Sequence, residues 1–145
     1  MVKLWAWTWQ DARRLQQERH MQKAVRKYLK ALEANDVDKA AALFTADGWV
    51  QSPFLGRLPI RAYISKVAGA SKSSHLTVHD VLVSAEGNMR AVAYYVYDWQ
   101  LKDGSKVAFE CADVFNFDPE TGHIASVVLV YDTNLVRDVV ENKYP

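Results

Sequence analysis

The sequence predicts an α+β fold in which helices come first and then pack on one face of a curved, mainly antiparallel sheet. Three observations carry this expectation. From about Asp11 to Ala34 apolar residues recur at helical spacing. Between about 76 and 132, four runs rich in Val, Ala and aromatic residues are separated by the turn signals EGN, KDG and DPETG. The chain has 145 residues, 50% of them hydrophobic, which fits one compact domain with a core of its own. That domain is expected to span 1–145, with 1–20 as an N-terminal extension and 133–145 as a tail.

Residues 1–9 place Trp5, Trp7 and Trp9 at strand spacing. Such a surface is expected to dock on this domain or on a partner subunit, or to cover a ligand pocket. The patch LWAWTW is too short for a signal-peptide core, and no run reaches the length of a membrane span, so a cytoplasmic location is the default expectation. Net charge is +1, which gives no global pull towards nucleic acid or anionic lipid.

In the first helical segment Met21, Ala24, Val25, Tyr28, Leu29 and Leu32 form an apolar stripe. Arg19, Lys23, Arg26, Lys27 and Lys30 lie opposite it. No aromatic residue interleaves these cations, so they read as a solvated face and not as a nucleic-acid site. Tyr28 sits near the middle of the buried stripe, where its hydroxyl needs a partner. Asn35-Asp36 ends the helix and caps a second one bearing Val37, Ala40, Ala41, Leu43 and Phe44. Ala46-Asp47-Gly48 reads as a turn, and Trp49 to Ser52 as a short extended piece before Pro53. Pro59 starts a third helix with Ile60, Tyr63, Ile64 and Val67 inward. Ser71 to Ser74 reads as a polar loop. Strands are expected at about 76–84, 89–101, 105–117 and 123–132, and the tail from Thr133 carries weak signals.

The most informative anomaly lies in the last hairpin, VAFECADVFNFDPETGHIASVVLVYD. Alternation puts Phe109, Cys111, Asp113, Phe115 and Phe117 on one face. Asp113 is thus a carboxyl in the middle of an apolar face, where it must find a donor, hold a proton or border a cavity. In the preceding strand Val92, Tyr94, Val96 and Asp98 share one face, while Ala93, Tyr95, Tyr97, Trp99 and Leu101 share the other. Both faces are apolar enough for burial, one against a pocket and one in a dimer interface. Alternation does not say which.

Two residues are candidates for moving a proton: Asp98, if it points inward, and His79, whose ordinary pKa suits acid–base work. Metal binding is not expected, because His75 and His79 would be about 13 Å apart in extended chain and no CxxC or HExxH is present. No Gly-rich phosphate loop or GxSxG occurs, and no cofactor is implied. Cys111 is the only cysteine and reads as a small buried apolar group.

The run YLKALEANDVDKAAALFTADGWVQSPF, with the four strands after it, resembles the nuclear transport factor 2-like superfamily. Within it the resemblance is to the Δ5-3-ketosteroid isomerase and SnoaL-like polyketide cyclase branch, from about Ala24 to Asp132. It implies a cone-shaped, cystatin-like roll of sheet around three helices, a deep apolar pocket, and a homodimer formed through the outer sheet face. It also implies an oxyanion hole made by a tyrosine and a protonated aspartic acid, with a separate aspartate as base. Tyr28 matches the tyrosine and Asp113 the acid. The base position, just before a proline, holds Ser52, whose hydroxyl cannot take a carbon-bound proton unaided at neutral pH. With the resemblance, the pocket lining is expected to include Trp49, Ser52, Phe54, Tyr63, Phe115, Val127, Leu129 and Tyr131. The implied ligand is a small apolar carbonyl- or phenol-bearing molecule, and the implied chemistry is cofactor-free isomerisation, cyclisation or dehydration. The competing expectation is a non-catalytic domain that binds an apolar ligand or dimerises.

Overall fold

A six-stranded sheet in the order β2-β1-β6-β5-β4-β3 curls around the helices. The structure is a computed structural model, and it describes residues 7–140. In chain order the elements are α1 (Trp9–Glu33), α2 (Val37–Ala41), β1 (Phe44–Ser52), β2 (Gly56–Pro59), α3 (Ile60–Ala70) and β3 (Ser71–Val83). Then follow β4 (Arg90–Leu101), β5 (Lys106–Phe117), β6 (Ile124–Val128), a 3₁₀ turn at Thr133–Leu135 and α4 (Arg137–Val140). Neighbouring strands are antiparallel except β1 and β6, which run parallel. The α+β class and the curved sheet therefore stand as the sequence predicts.

α1 begins at Trp9, earlier than its apolar periodicity suggests, because Thr8 and Asp11 form a capping box. Trp7 and Trp9 are 67% and 88% exposed, so neither docks on the sheet nor covers a pocket in this chain. Trp5 lies outside the described residues. Asn35 takes a left-handed φ of 54° just past α1, and Asp36 caps α2 by accepting from the Lys39 amide. α2 is short, and Phe44, expected on its apolar side, instead opens β1. The expected turn at Ala46–Gly48 is an irregularity inside β1, where the register against β6 shifts between Phe44 and Trp49. A side chain at Gly48 would come within 2.7 Å of the Phe44 ring, so the bulge needs glycine for space.

β3 also starts earlier than expected. Ser71 looks like loop sequence, yet its buried hydroxyl donates to the Val67 carbonyl at 2.6 Å and accepts from the Trp99 indole at 2.7 Å. Those two bonds fix the α3–β3 junction against β4. The tail is ordered into the core at Val136, which is buried.

The long alternations of β4 and β5 decide what faces inward. Ala91, Ala93, Tyr95, Tyr97, Trp99 and Leu101 are buried, as are Phe109, Cys111, Asp113, Phe115 and Phe117. The apolar stripe of α1 and the inward side of α3 fill the cone against them. Among the described residues, no helix is long and apolar enough to cross a membrane.

Candidate functional site

The interior of the cone narrows to a cavity of about 30 Å³. That is room for roughly one or two waters. Its wall comes from Ser52 at the end of β1, Tyr63 and Val67 of α3, and Tyr95, Tyr97 and Trp99 of β4. Phe109 and Cys111 of β5, with Leu129 and Tyr131 beyond β6, complete it. The rings pack in a chain: Tyr97 stacks on Phe109 at 5.4 Å, Phe109 meets Tyr131 at 5.0 Å, and Tyr131 meets Phe54 at 6.2 Å. Phe54 and Tyr131 are half-buried, so they form the rim. Tyr97 shares a 2.9 Å hydrogen bond with the Ser74 hydroxyl, and the Leu55 amide reaches the Ser52 hydroxyl at 3.4 Å.

Behind this wall lies a buried polar cluster. The Tyr95 hydroxyl donates to Asp113 Oδ2 at 2.7 Å. Asp113 is fully buried, and its Oδ1 has no partner among the described residues. Tyr28 is fully buried too, between the rings of Phe44 at 5.6 Å and Phe115 at 5.4 Å, and its hydroxyl is likewise unpartnered. Tyr28 and Asp113 are close enough to feel each other's charge, but no hydrogen bond joins them.

The electrostatics follow from burial. Desolvation pushes the Asp113 carboxyl up from 3.8 to about 7, against the opposing hydrogen bond from Tyr95. Burial, then the nearby Asp113, holds both Tyr28 and Tyr95 well above the ordinary phenol range. Burial and Asp113 also push the Cys111 thiol up, so it is no thiolate nucleophile near neutral pH. While Asp113 holds a proton, the cluster is a set of neutral groups screened from solvent, suited to stabilising charge on a ligand oxygen.

Of the residues expected to line a pocket, Ser52, Tyr63, Leu129 and Tyr131 lie on the cavity wall and Phe54 at its rim. Phe115 and Val127 are packed into the core and do not reach the cavity. Trp49 points the other way. Val50 and Ser52 of β1 face inward, so alternation turns Trp49 outward, where the Arg57 guanidinium lies 3.6 Å over its ring. Asp98 and His79 are corrected in the same sense. β4 commits Tyr95, Tyr97 and Trp99 to the interior, so Asp98 is exposed on the outer face, opposite His75. His79 sits at an irregularity of β3 between Val78 and Asp80, and its ring lies outside, tilted against Tyr94 at 4.9 Å. Neither reaches the cavity as a base.

Val67, Tyr95, Tyr97, Trp99, Phe109 and Cys111 also line the wall, though the sequence did not assign them to it. The signal for them was the shared face in each strand and in α3. Among the described residues, no group of three or more His, Cys, Asp or Glu side chains gathers where a metal ion could bind.

A family model for the SnoaL-like domain matches residues 25–127. The chain belongs to the SnoaL-like domain family. It is similar in structure to SalBIII, an epoxide hydrolase/cyclase-like enzyme with a role in pyran ring formation in polyether salinomycin. The TM-score is 0.68 at 19% identity, over 81% of this chain and 95% of that one. A protein of ketosteroid isomerase-like fold from Catenulispora acidiphila, in complex with trimethylamine, gives 0.68 at 17% identity, over 84% and 93%. An LEH-like epoxide hydrolase from M. tuberculosis gives 0.66 at 17% identity, over 82% and 87%. No curated protein matches the sequence.

Proposed function

We infer that the chain binds a small apolar molecule bearing a carbonyl or phenolic oxygen inside the cone and polarises that oxygen by hydrogen bonding, without a cofactor. One observation carries this. Tyr28 Oη and Asp113 Oδ1 are two fully buried oxygens beside the Tyr95–Asp113 bond, with no hydrogen-bond partner among the described residues. Buried polar groups are nearly always paired, and each orphan costs about 1–3 kcal/mol. Tyr95 bonds Asp113 and also lines the cavity, so a ligand oxygen in the cavity lies one hydroxyl away from this cluster. The rim rings of Phe54 and Tyr131 must shift to admit anything larger than water, because the cavity is now only about 30 Å³.

The position of the family's base holds Ser52, so isomerase activity should be low while oxygen binding persists. The test compares wild type, Ser52→Asp, and Ser52→Asp with Asp113→Leu, measuring phenol affinity and isomerisation of a β,γ-unsaturated ketone. Phenol should bind the first two, and isomerase activity should rise only in the second. A positioned base is worth about 10²–10⁴-fold. Phenol binding by none of the three would refute the proposal.

The small cavity favours a second function, a non-catalytic SnoaL-like domain that associates through its sheet. The outer face offers half-buried Val92, Val96, Val114 and Val128 around Tyr94 and Leu82, the last 51% exposed. We take this face as the interface of a homodimer, which is compatible with either function.

A further inference from the structure

We propose that Tyr95 is the group that hydrogen-bonds a ligand's carbonyl oxygen in the cavity, and that it does so only while Asp113 carries a proton. This rests on the function proposed above and names the atom that meets the ligand. The matched pair of the family's oxyanion hole, Tyr28 and Asp113, is not on the cavity wall. Tyr95 is, and it is also the residue that touches Asp113. It stands between the cavity and the buried carboxyl.

A phenol has one proton to give. If Asp113 is ionised, that proton is committed. The groups around the carboxyl are Tyr28 from α1, Tyr95 from β4 and Cys111 from β5, with Tyr97 of β4 near Tyr28 and Tyr63 of α3 near Tyr95. None is a cation, and only Tyr95 donates to the carboxyl among the described residues. An ionised Asp113 therefore holds the Tyr95 proton, and Tyr95 shows the cavity only oxygen lone pairs. A ketone has no proton with which to meet them, so it is repelled. If Asp113 is protonated on Oδ2, the bond reverses. The carboxyl donates to Tyr95 Oη, and the Tyr95 proton is free to turn to the cavity and donate to the ketone. No covalent bond changes; a single proton on Asp113 sets which way the pair points. With its carboxyl raised to about 7, Asp113 would change state within the range where the protein can be studied.

The test uses cyclohexanone labelled with ¹³C at the carbonyl, a pure acceptor that does not ionise between pH 5.5 and 8.5. Its affinity and its bound ¹³C shift are read by NMR for wild type, Tyr95→Phe, Tyr28→Phe and Asp113→Asn. Wild type should bind more tightly at pH 5.5 than at pH 8.5, by up to about thirtyfold for a single site titrating near 7. The bound carbonyl should show the downfield shift of a hydrogen-bonded ketone. Tyr95→Phe should lose that shift and most of the pH dependence, with affinity at pH 5.5 down about 2–10-fold. Asp113→Asn, which cannot ionise, should bind equally at both pH values. Loss of the shift in Tyr28→Phe with its retention in Tyr95→Phe would overturn this inference and leave the proposed function standing. A pH-independent wild type would do the same without recourse to any variant. No binding by wild type at either pH would overturn both.

Discussion

Asp113→Asn tests the burial of the carboxyl through stability alone, without any ligand. In the folded chain the group titrates near 7 and in the unfolded chain near its ordinary 3.8. Between these values the folded protein binds a proton that the unfolded chain has lost, so stability falls as pH rises. The contribution is fully present below 3.8 and is lost as pH rises through 7. At about 1.36 kcal/mol per unit, the whole window is worth on the order of 4 kcal/mol, of which about 3 falls between pH 4.5 and 8. Asparagine keeps the shape and one donor for Tyr95 but cannot ionise. Other carboxylates titrate in the same range with the opposite sign, so the informative quantity is the difference between variant and wild type. Urea unfolding at pH 4.5, 6 and 8 measures it. The variant should gain on wild type steadily across the series, by up to about 3 kcal/mol. Parallel profiles would mean that Asp113 titrates alike in both states. In that event the dry, neutral cluster described here does not exist.

Two other outcomes follow from the same geometry. Tyr28→Phe deletes a buried hydroxyl with no partner among the described residues and should stabilise the fold by about 1 kcal/mol in urea unfolding; a comparable loss would reveal that the hydroxyl is bonded after all. Light scattering should report a dimer, and Val96→Glu, which puts a charge in the centre of the outer face, should report a monomer. A monomeric wild type at high concentration would remove the proposed interface.

Much of the fold is legible in the chain because periodicity is a local property. The stripe of α1 and the alternation of β4 and β5 need only a few consecutive residues to declare themselves, and they correctly group Tyr95 with Tyr97 and Trp99, and Cys111 with Asp113. Asp113 is conspicuous for the same reason, as one acid among Phe and Cys. The boundaries that went astray each depended on a distant partner. Ser71 is strand and not loop because the indole of Trp99 bonds its hydroxyl, and Gly48 is a bulge because Phe44 lies against it.

The site itself was beyond any local pattern. β4 has two apolar faces, and only the side on which the helices pack decides that Tyr95 is inside and Asp98 outside. Trp49 and Ser52 are three residues apart, yet strand alternation through Val50 sends one to the surface and the other to the cavity wall. The lining converges from β1, α3, β4, β5 and the segment after β6, segments far apart in sequence. Which residue a strand pairs on each face is written in neighbouring residues. How much empty space five segments leave between them, and which hydroxyl stands in front of which carboxyl, depends on the sum of all their volumes and so exists only in the folded chain.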